Sequence, residues 1–311
     1  MRLGMGIIVL PCLLAACSAG GGDSGPFTDS RTPAGLAERF YPPEGWAWDL
    51  VQVGSAPAQR YGVAAAVGPA RADILILPDY GESAETWFET VRDLTSRGYR
   101  VWVLEAAGQG GSERLRGQRD IGDVQSFDPD VAAVRAMIDT VIRPNSKIPL
   151  FVLANGVGAV IATPAMAGGA GVQGLIFSAP RLDVRRGGPV PASPPWRSDM
   201  KDAFAGGATH DRWRGAVSLA WQRANPDLRM GAASPRWEHA YHQAMLKTVD
   251  AMKAQTLPVM VIEGDRGVGC LGARRCLSVQ LKGAGQALEL ERDAMRKAWL
   301  DRIDAFIAAA R

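Results

Sequence analysis

From residue 74 onward, short apolar runs alternate with longer stretches of helical periodicity. Ile74–Leu77, Val101–Leu104, Leu150–Leu153, Leu175–Phe177 and Pro258–Ile262 are continuous apolar runs, the pattern of strands buried on both faces. Thr86–Arg97, Val131–Ile142 and Val160–Met166 read as helices, the last interrupted by Pro164, and Ala294–Ala310 reads as an amphipathic closing helix. This alternation predicts an α/β fold with a doubly wound, mostly parallel sheet. Ahead of it, Trp46–Val53 and Gln59–Val67 alternate apolar and polar positions, as an antiparallel opening hairpin does. Between Arg181 and Lys253 the alternation stops and Trp, Arg and Pro become frequent, so that stretch is expected to be an inserted, mainly helical cap. The chain thus divides into a targeting segment (1–16), a flexible tether (17–39), a core in two parts (40–180 and 254–311) and a cap (181–253).

The first segment carries one basic residue, Arg2, and an apolar stretch from Ile7 to Ala16, too short to span a bilayer and laid out like a secretory signal. It closes with Leu14-Ala15-Ala16-Cys17, which matches the bacterial lipobox. In that motif cleavage before the cysteine leaves a thiol that carries diacylglycerol. The expectation is a lipoprotein anchored in the cell envelope through Cys17 and facing the periplasm; a plain cleaved signal is the alternative. Ser18 after the anchor favours the outer over the inner membrane, and the small residues Ser18–Gly25 suit a tether.

Composition removes several function classes. With 47% hydrophobic and 22% charged residues, the chain is neither charge-rich and disordered nor membrane-spanning. A net charge of +3 from 35 basic and 32 acidic residues makes no field for nucleic acid. Of the four Cys, Cys12 leaves with the signal and Cys17 is the anchor. Cys270 and Cys276, six apart in a Gly-rich loop, form a local disulfide in an oxidising compartment or remain two free thiols. The three His (His210, His239, His242) all fall in the cap, and neither His nor Cys has metal-ligand spacing, so no metal and no cofactor is expected.

The punctuation between these elements follows a recognisable order. Leu77-Pro78-Asp79-Tyr80-Gly81-Glu82-Ser83 ends the first buried strand, and Glu105-Ala106-Ala107-Gly108-Gln109-Gly110-Gly111-Ser112 follows the second. The cap holds Ala208-Thr209-His210-Asp211-Arg212, Ala224-Asn225-Pro226-Asp227-Leu228 and Ser234-Pro235-Arg236-Trp237, and Gly283–Asp293 comes near the end. In this series, from about residue 40 to the C-terminus, the chain resembles the α/β-hydrolase superfamily, and within it the lysophospholipase and monoacylglycerol lipase group of serine aminopeptidase S33 type. The resemblance implies an α/β-hydrolase fold and ester-hydrolase ancestry.

It also implies a Ser–acid–His triad, with Ser on a tight strand–helix elbow between small residues. Here the elbow reads Ala154-Asn155-Gly156-Val157-Gly158, so the small flanks remain and Gly156 stands at the nucleophile position. Glycine keeps the left-handed turn and deletes the attacking oxygen. The family's His aligns with Gln286, which accepts no proton near neutral pH. Asp265 stands where the acid is expected, or serves only as a loop cap. Asp79 and Val157 occupy the oxyanion positions, and a carboxylate at Asp79 opposes a developing negative charge. Asp123 stands where related sequences often carry His. Ser83 reads as a helix cap, whereas Ser112 and Ser178 match non-nucleophilic residues of active relatives.

With two triad members gone, the leading expectation is an inactive pseudo-hydrolase that binds a lipid or acyl ligand or a periplasmic protein. The alternative is an active esterase in which a cap His meets a relocated Ser; a third reading is a structural lipoprotein whose pocket has filled in. Tyr80, Asn155, Trp213 and Trp237 are the candidate pocket residues, and packing of the cap's own core is the competing role for its Trp residues.

Overall fold

The computed structural model describes residues 24–115, 119–169, 171–182 and 195–310. The signal segment, Cys17 and cap residues 183–194 lie outside this set. Eight strands form one sheet: β1 (Ala47–Val51), β2 (Gln59–Ala64), β3 (Ala72–Leu77), β4 (Tyr99–Leu104), β5 (Leu150–Asn155), β6 (Gly174–Ser178), β7 (Val259–Glu263) and β8 (Cys276–Gln280). Their spatial order is β1-β2-β4-β3-β5-β6-β7-β8. β1–β2 and β2–β4 pair antiparallel and all other pairs are parallel. The central strands are buried at every residue, which is why they read as unbroken apolar runs.

Helices cover both faces, as the alternation predicted. α1 (Phe88–Ser96) and the closing α7 (Asp293–Ala309) pack Val91, Leu94, Trp299 and Ile303 against one face. The other face carries α2 (Asp128–Ala136), whose last turn continues π-wound through Ile142, and α3 (Gly158–Ala165). The segment between β6 and β7 holds the short α4 (Arg212–Gly215), α5 (Val217–Ala224) and the 20-residue α6 (Pro235–Ala254). Pro235 sits at the first turn of α6, where its missing N–H leaves no bond unmade, and Ser234 caps it by accepting the Trp237 N–H at 3.0 Å. The distal half of α6 leaves the cap and packs Met245 and Met252 into the core beside α3.

Two features differ from the sequence reading. β8 has no counterpart in it, because this edge strand is exposed or half-exposed along its length and so shows no apolar run. Residues 24–39, expected as the remainder of a tether, are a strap fixed between core and cap. Phe27 N–H donates to Gly111 O at 2.9 Å and Ser24 O accepts from Arg114 N–H at 2.8 Å. Arg31 N–H donates to Asn225 Oδ1 at 2.7 Å, while Asn225 Nδ2 donates back to Arg31 O at 2.9 Å. Phe27 and Leu36 join a small core of Phe40, Phe88, Val217, Trp221 and Leu228, so the strap buries apolar surface against both parts of the molecule.

Candidate active site

Ligands of open α/β sheets bind beyond the carboxyl ends of the strands. There β5 runs into Gly156, which has φ +48°, and α3 begins two residues later. The turn is tight. A Cβ on Gly158 would lie 2.5 Å from the Leu77 carbonyl oxygen, which explains the small flank on that side. A Cβ on Gly156 would lie 2.2 Å from Asp79 Cγ and 2.3 and 2.4 Å from its two oxygens. The Asp79 carboxylate therefore fills the volume that a side chain at Gly156 would occupy.

In α/β-hydrolases the oxyanion is held by two backbone N–H groups, one after the nucleophile and one from the loop after β3. Of the two positions expected from the sequence, the Asp79 N–H turns away to Glu82; the N–H groups that converge beside the elbow are those of Val157 and of Tyr80, one residue further along the loop, and both donate to Asp79 Oδ1, at 2.8 Å each. The donors survive and the protein's own carboxylate occupies them. Asp79 Oδ2 pairs with Arg181 Nη2 at 2.8 Å. A turn with Ala179 at φ +42° precedes Arg181, whose N–H donates to Gly156 O at 3.2 Å. A non-glycine residue in that region stores strain, which here carries Arg181 over the elbow. The Tyr241 hydroxyl donates to the Arg181 carbonyl.

Beneath Asp79 lies a second carboxylate that the sequence reading did not single out. Glu82 Oε2 accepts from Asp79 N–H (2.8 Å) and Trp87 Nε1 (3.0 Å), and Asn155 Nδ2 donates to Oε1 at 3.1 Å. Desolvation, reinforced by the Asp79 charge, pushes the Glu82 carboxyl up to about 7. Glu289 is 2% exposed and, among the described residues, neither carboxylate oxygen has a hydrogen-bond partner. Burial, then the Glu82 charge, raises its carboxyl well above the usual range, so it is held neutral. Only two cues pointed here: an acid between Leu288 and Leu290, and an acid three residues after Asp79.

The remaining predicted residues are placed as follows. Asp265 is exposed and its Oδ1 accepts Gly283 N–H at 2.7 Å; Gln286 is exposed and donates to Arg266 O at 3.1 Å. They lie in neighbouring loops, yet neither is hydrogen-bonded to the other or to the elbow. Cys270 and Cys276 are joined, with Sγ–Sγ 1.99 Å. Tyr80 and Trp237 pack edge to face at 4.7 Å, and Trp237 stacks on Tyr241 at 5.2 Å, so aromatic rings fill the space between elbow and α6. Asn155 is buried on Glu82, whereas Trp213 projects from α4 with 70% exposure and does not join the other three. Ser83 stands at the N-cap of a short 3₁₀ turn but makes no capping side-chain bond, its hydroxyl being engaged by the buried Glu85 carboxylate. Ser112 Oγ accepts Arg60 N–H at 2.9 Å. Asp123 accepts from Ser234 and Arg236 and ties its loop to α6. His210 pairs with Glu291 at 2.8 Å, and among the described residues no His is hydrogen-bonded to a Ser. A cleft of about 360 Å³ lies elsewhere, between α1, α4 and α7, lined by Glu89, Arg214, Asp293 and Arg296 and by none of the elbow residues.

Comparison with known proteins matches residues 68–268 to the family described as serine aminopeptidase, S33. No curated protein matches the chain. Among solved structures, a soluble variant of monoglyceride lipase from Saccharomyces cerevisiae is 14% identical, with 86% of this chain and 98% of that one covered and a TM-score of 0.65. A thermostable carboxyl esterase from Bacillus coagulans is 13% identical over 85% and 99% of the two chains, with a TM-score of 0.60. The monoacylglycerol lipase of Paleococcus ferrophilus is 12% identical over 84% and 99%, with a TM-score of 0.57. At these identities the likeness is one of fold.

Proposed function

The chain belongs to the serine aminopeptidase S33 family of α/β-hydrolases, and from that premise we propose that it is a catalytically silent member, anchored to the cell envelope through a lipid on Cys17. One observation carries the silence. The Asp79 carboxylate takes both oxyanion donors and the volume above Gly156. An incoming ester carbonyl would meet a negative charge where its own must develop, with no hydroxyl at Gly156 to attack it and no imidazole at Gln286 to accept a proton. The scaffold then serves as a binding module, facing the periplasm, for an acyl ligand or a periplasmic protein. The lipobox Leu14–Cys17 and the residues after it support the anchor and its outer-membrane placement.

The test is direct. The mature protein is incubated with a fluorophosphonate probe and with short acyl esters, and neither labelling nor turnover is expected. Covalent labelling, or hydrolysis abolished by a substitution beside Gly156, sinks the proposal. Intact-mass measurement of the native protein checks the anchor, since a mature chain starting at an unmodified Cys17 contradicts it.

A further inference from the structure

Where the strap meets the cap, three arginines gather around the C-terminal end of α5. Arg31 Nη2 donates to Ala224 O at 3.3 Å, Arg223 Nη2 to Ser198 O at 2.7 Å, and Arg229 Nε to Gln222 O at 3.3 Å. Each of these guanidinium acceptors is a main-chain carbonyl, Arg229 also lies over the Trp196 ring at 4.3 Å, and among the described residues none of the three is paired with a carboxylate. Two of the carbonyls belong to the last turn of α5, whose partial negative charge is offset by one cation. Three leave positive charge over. On the same face Asp227 is engaged by Arg119 at 3.6 Å, and Asp29 is the single acid of residues 24–31. Asp199, beside the Ser198 carbonyl that Arg223 contacts, is held by Arg197 at 2.6 Å; elsewhere Arg71 and Arg97 each hold an Asp.

The chain leaves the described domain on this face. Ser24 is bonded to Arg114, and the next residue, Leu115, is 44% exposed. Cys17 lies seven residues before Ser24, a reach of at most about 25 Å even when fully extended. A lipid on Cys17 thus keeps this face near the bilayer, which carries anionic headgroups. The geometry points to a membrane-facing surface on which Arg31, Arg223 and Arg229 contact the phosphates of anionic phospholipids and seat the strap end of the cap on the bilayer. The orientation rests on the lipid anchor proposed above; the headgroup contact is a property of the folded domain alone.

The experiment separates the two. The mature chain with Cys17→Ser, which carries no lipid, is titrated with vesicles of phosphatidylglycerol or of phosphatidylcholine. Binding to phosphatidylglycerol alone is expected, weakening as salt is added. With about fivefold per arginine, R31Q/R223Q/R229Q should bind on the order of 100-fold more weakly, and R31K/R223K/R229K should retain most of the affinity. R266Q/R274Q/R302Q removes the same charge from exposed positions elsewhere and should leave binding unchanged. Equal loss in both glutamine triples, no loss in the first, or equal binding to phosphatidylcholine overturns the inference. If the native protein carries its lipid but the Cys17→Ser chain ignores phosphatidylglycerol, the headgroup surface fails while the anchor stands. An unlipidated native chain that still binds through the three arginines gives the reverse.

Discussion

Two buried charge clusters lie at the carboxyl edge of this sheet, and they are built on opposite terms. In the first, Arg60 is fully buried and its guanidinium reaches Glu105 at 2.6 and 2.8 Å and Glu85 at 2.8 Å, under the ring of Trp48. Glu105 also takes the N–H groups of Ala84 and Gly111, at 2.7 Å each. Burial works against the Glu85 charge, yet Arg60 holds its carboxyl below the usual range. In the second cluster, made of Asp79, Glu82 and Glu289, the one ion pair is that of Asp79 with Arg181, whose side chain is 58% exposed. There burial wins and two carboxyls are driven towards the neutral form. The first cluster is closed around a charge pair; the second lies at the elbow and is rich in carboxyl groups with little cationic compensation. A buried ion pair matters most when one partner is removed, because the other is left without compensation.

The contrast can be broken at either end. Arg60→Met should have the largest effect, destabilising the fold by about 3–5 kcal/mol in urea unfolding, since two carboxylates are orphaned at once. A change under about 1 kcal/mol would show that the first cluster is not what closes the sheet edge. Next, Gly156→Ser should cost about 3 kcal/mol, combining a left-handed backbone with a Cβ driven into Asp79. The same substitution in an Asp79→Gly background should cost about 1–2 kcal/mol, the remainder being the coupling between the two positions. Additive effects would place Asp79 elsewhere than above the elbow.

The Glu82 carboxyl gives a smaller effect with a definite sign. Its folded value, about 7, lies above the ordinary 4.5, so the folded state binds this proton more tightly than the unfolded chain. Its contribution to stability is full below pH 4.5 and is lost as pH rises to about 7. Glu82→Gln should therefore gain on the wild type by about 2 kcal/mol between pH 4.5 and 7, measured as the difference between their urea midpoints. A constant difference across that range contradicts the assignment. Smallest of all, Arg181→Gln should shift stability by less than about 1 kcal/mol, because an exposed partner is replaced by water. A loss as large as that of Arg60→Met would make the two clusters alike.

Much of the frame was legible because buried parallel strands write themselves as apolar runs: β3 to β7 were each anticipated within a few residues. β8 was not, since Cys276–Gln280 is an edge strand with only one strand neighbour and little buried surface. The strap was missed for a different reason. Ser24, Gly25 and Pro26 look like linker by composition, and the Arg31–Asn225 contact spans 194 residues, a distance no local pattern encodes. At the elbow, Gly156 and Asp79 were each visible as departures from the family pattern. That one fills the space vacated by the other is a three-dimensional fact, and no spacing between positions 79 and 156 announces it. Glu289 was hidden by its setting, an acid between two leucines that matches no motif and that, among the described residues, is buried with no hydrogen-bond partner for its carboxyl oxygens.

The strap has a consequence for how the chain assembles. Its docking groove is made by the turn at Gly111, by Trp221 and by Asn225, so Phe27 waits for a partner 84 residues later and Arg31 for one 194 residues later. Closing so long a loop is entropically demanding and slow. The beginning of the domain is thus among the last parts to find its place, and its arrival joins sheet and cap into one cooperative unit. Under the anchoring proposed above, this order would keep the stretch after Cys17 free for modification until the rest had folded, and only then lock it in.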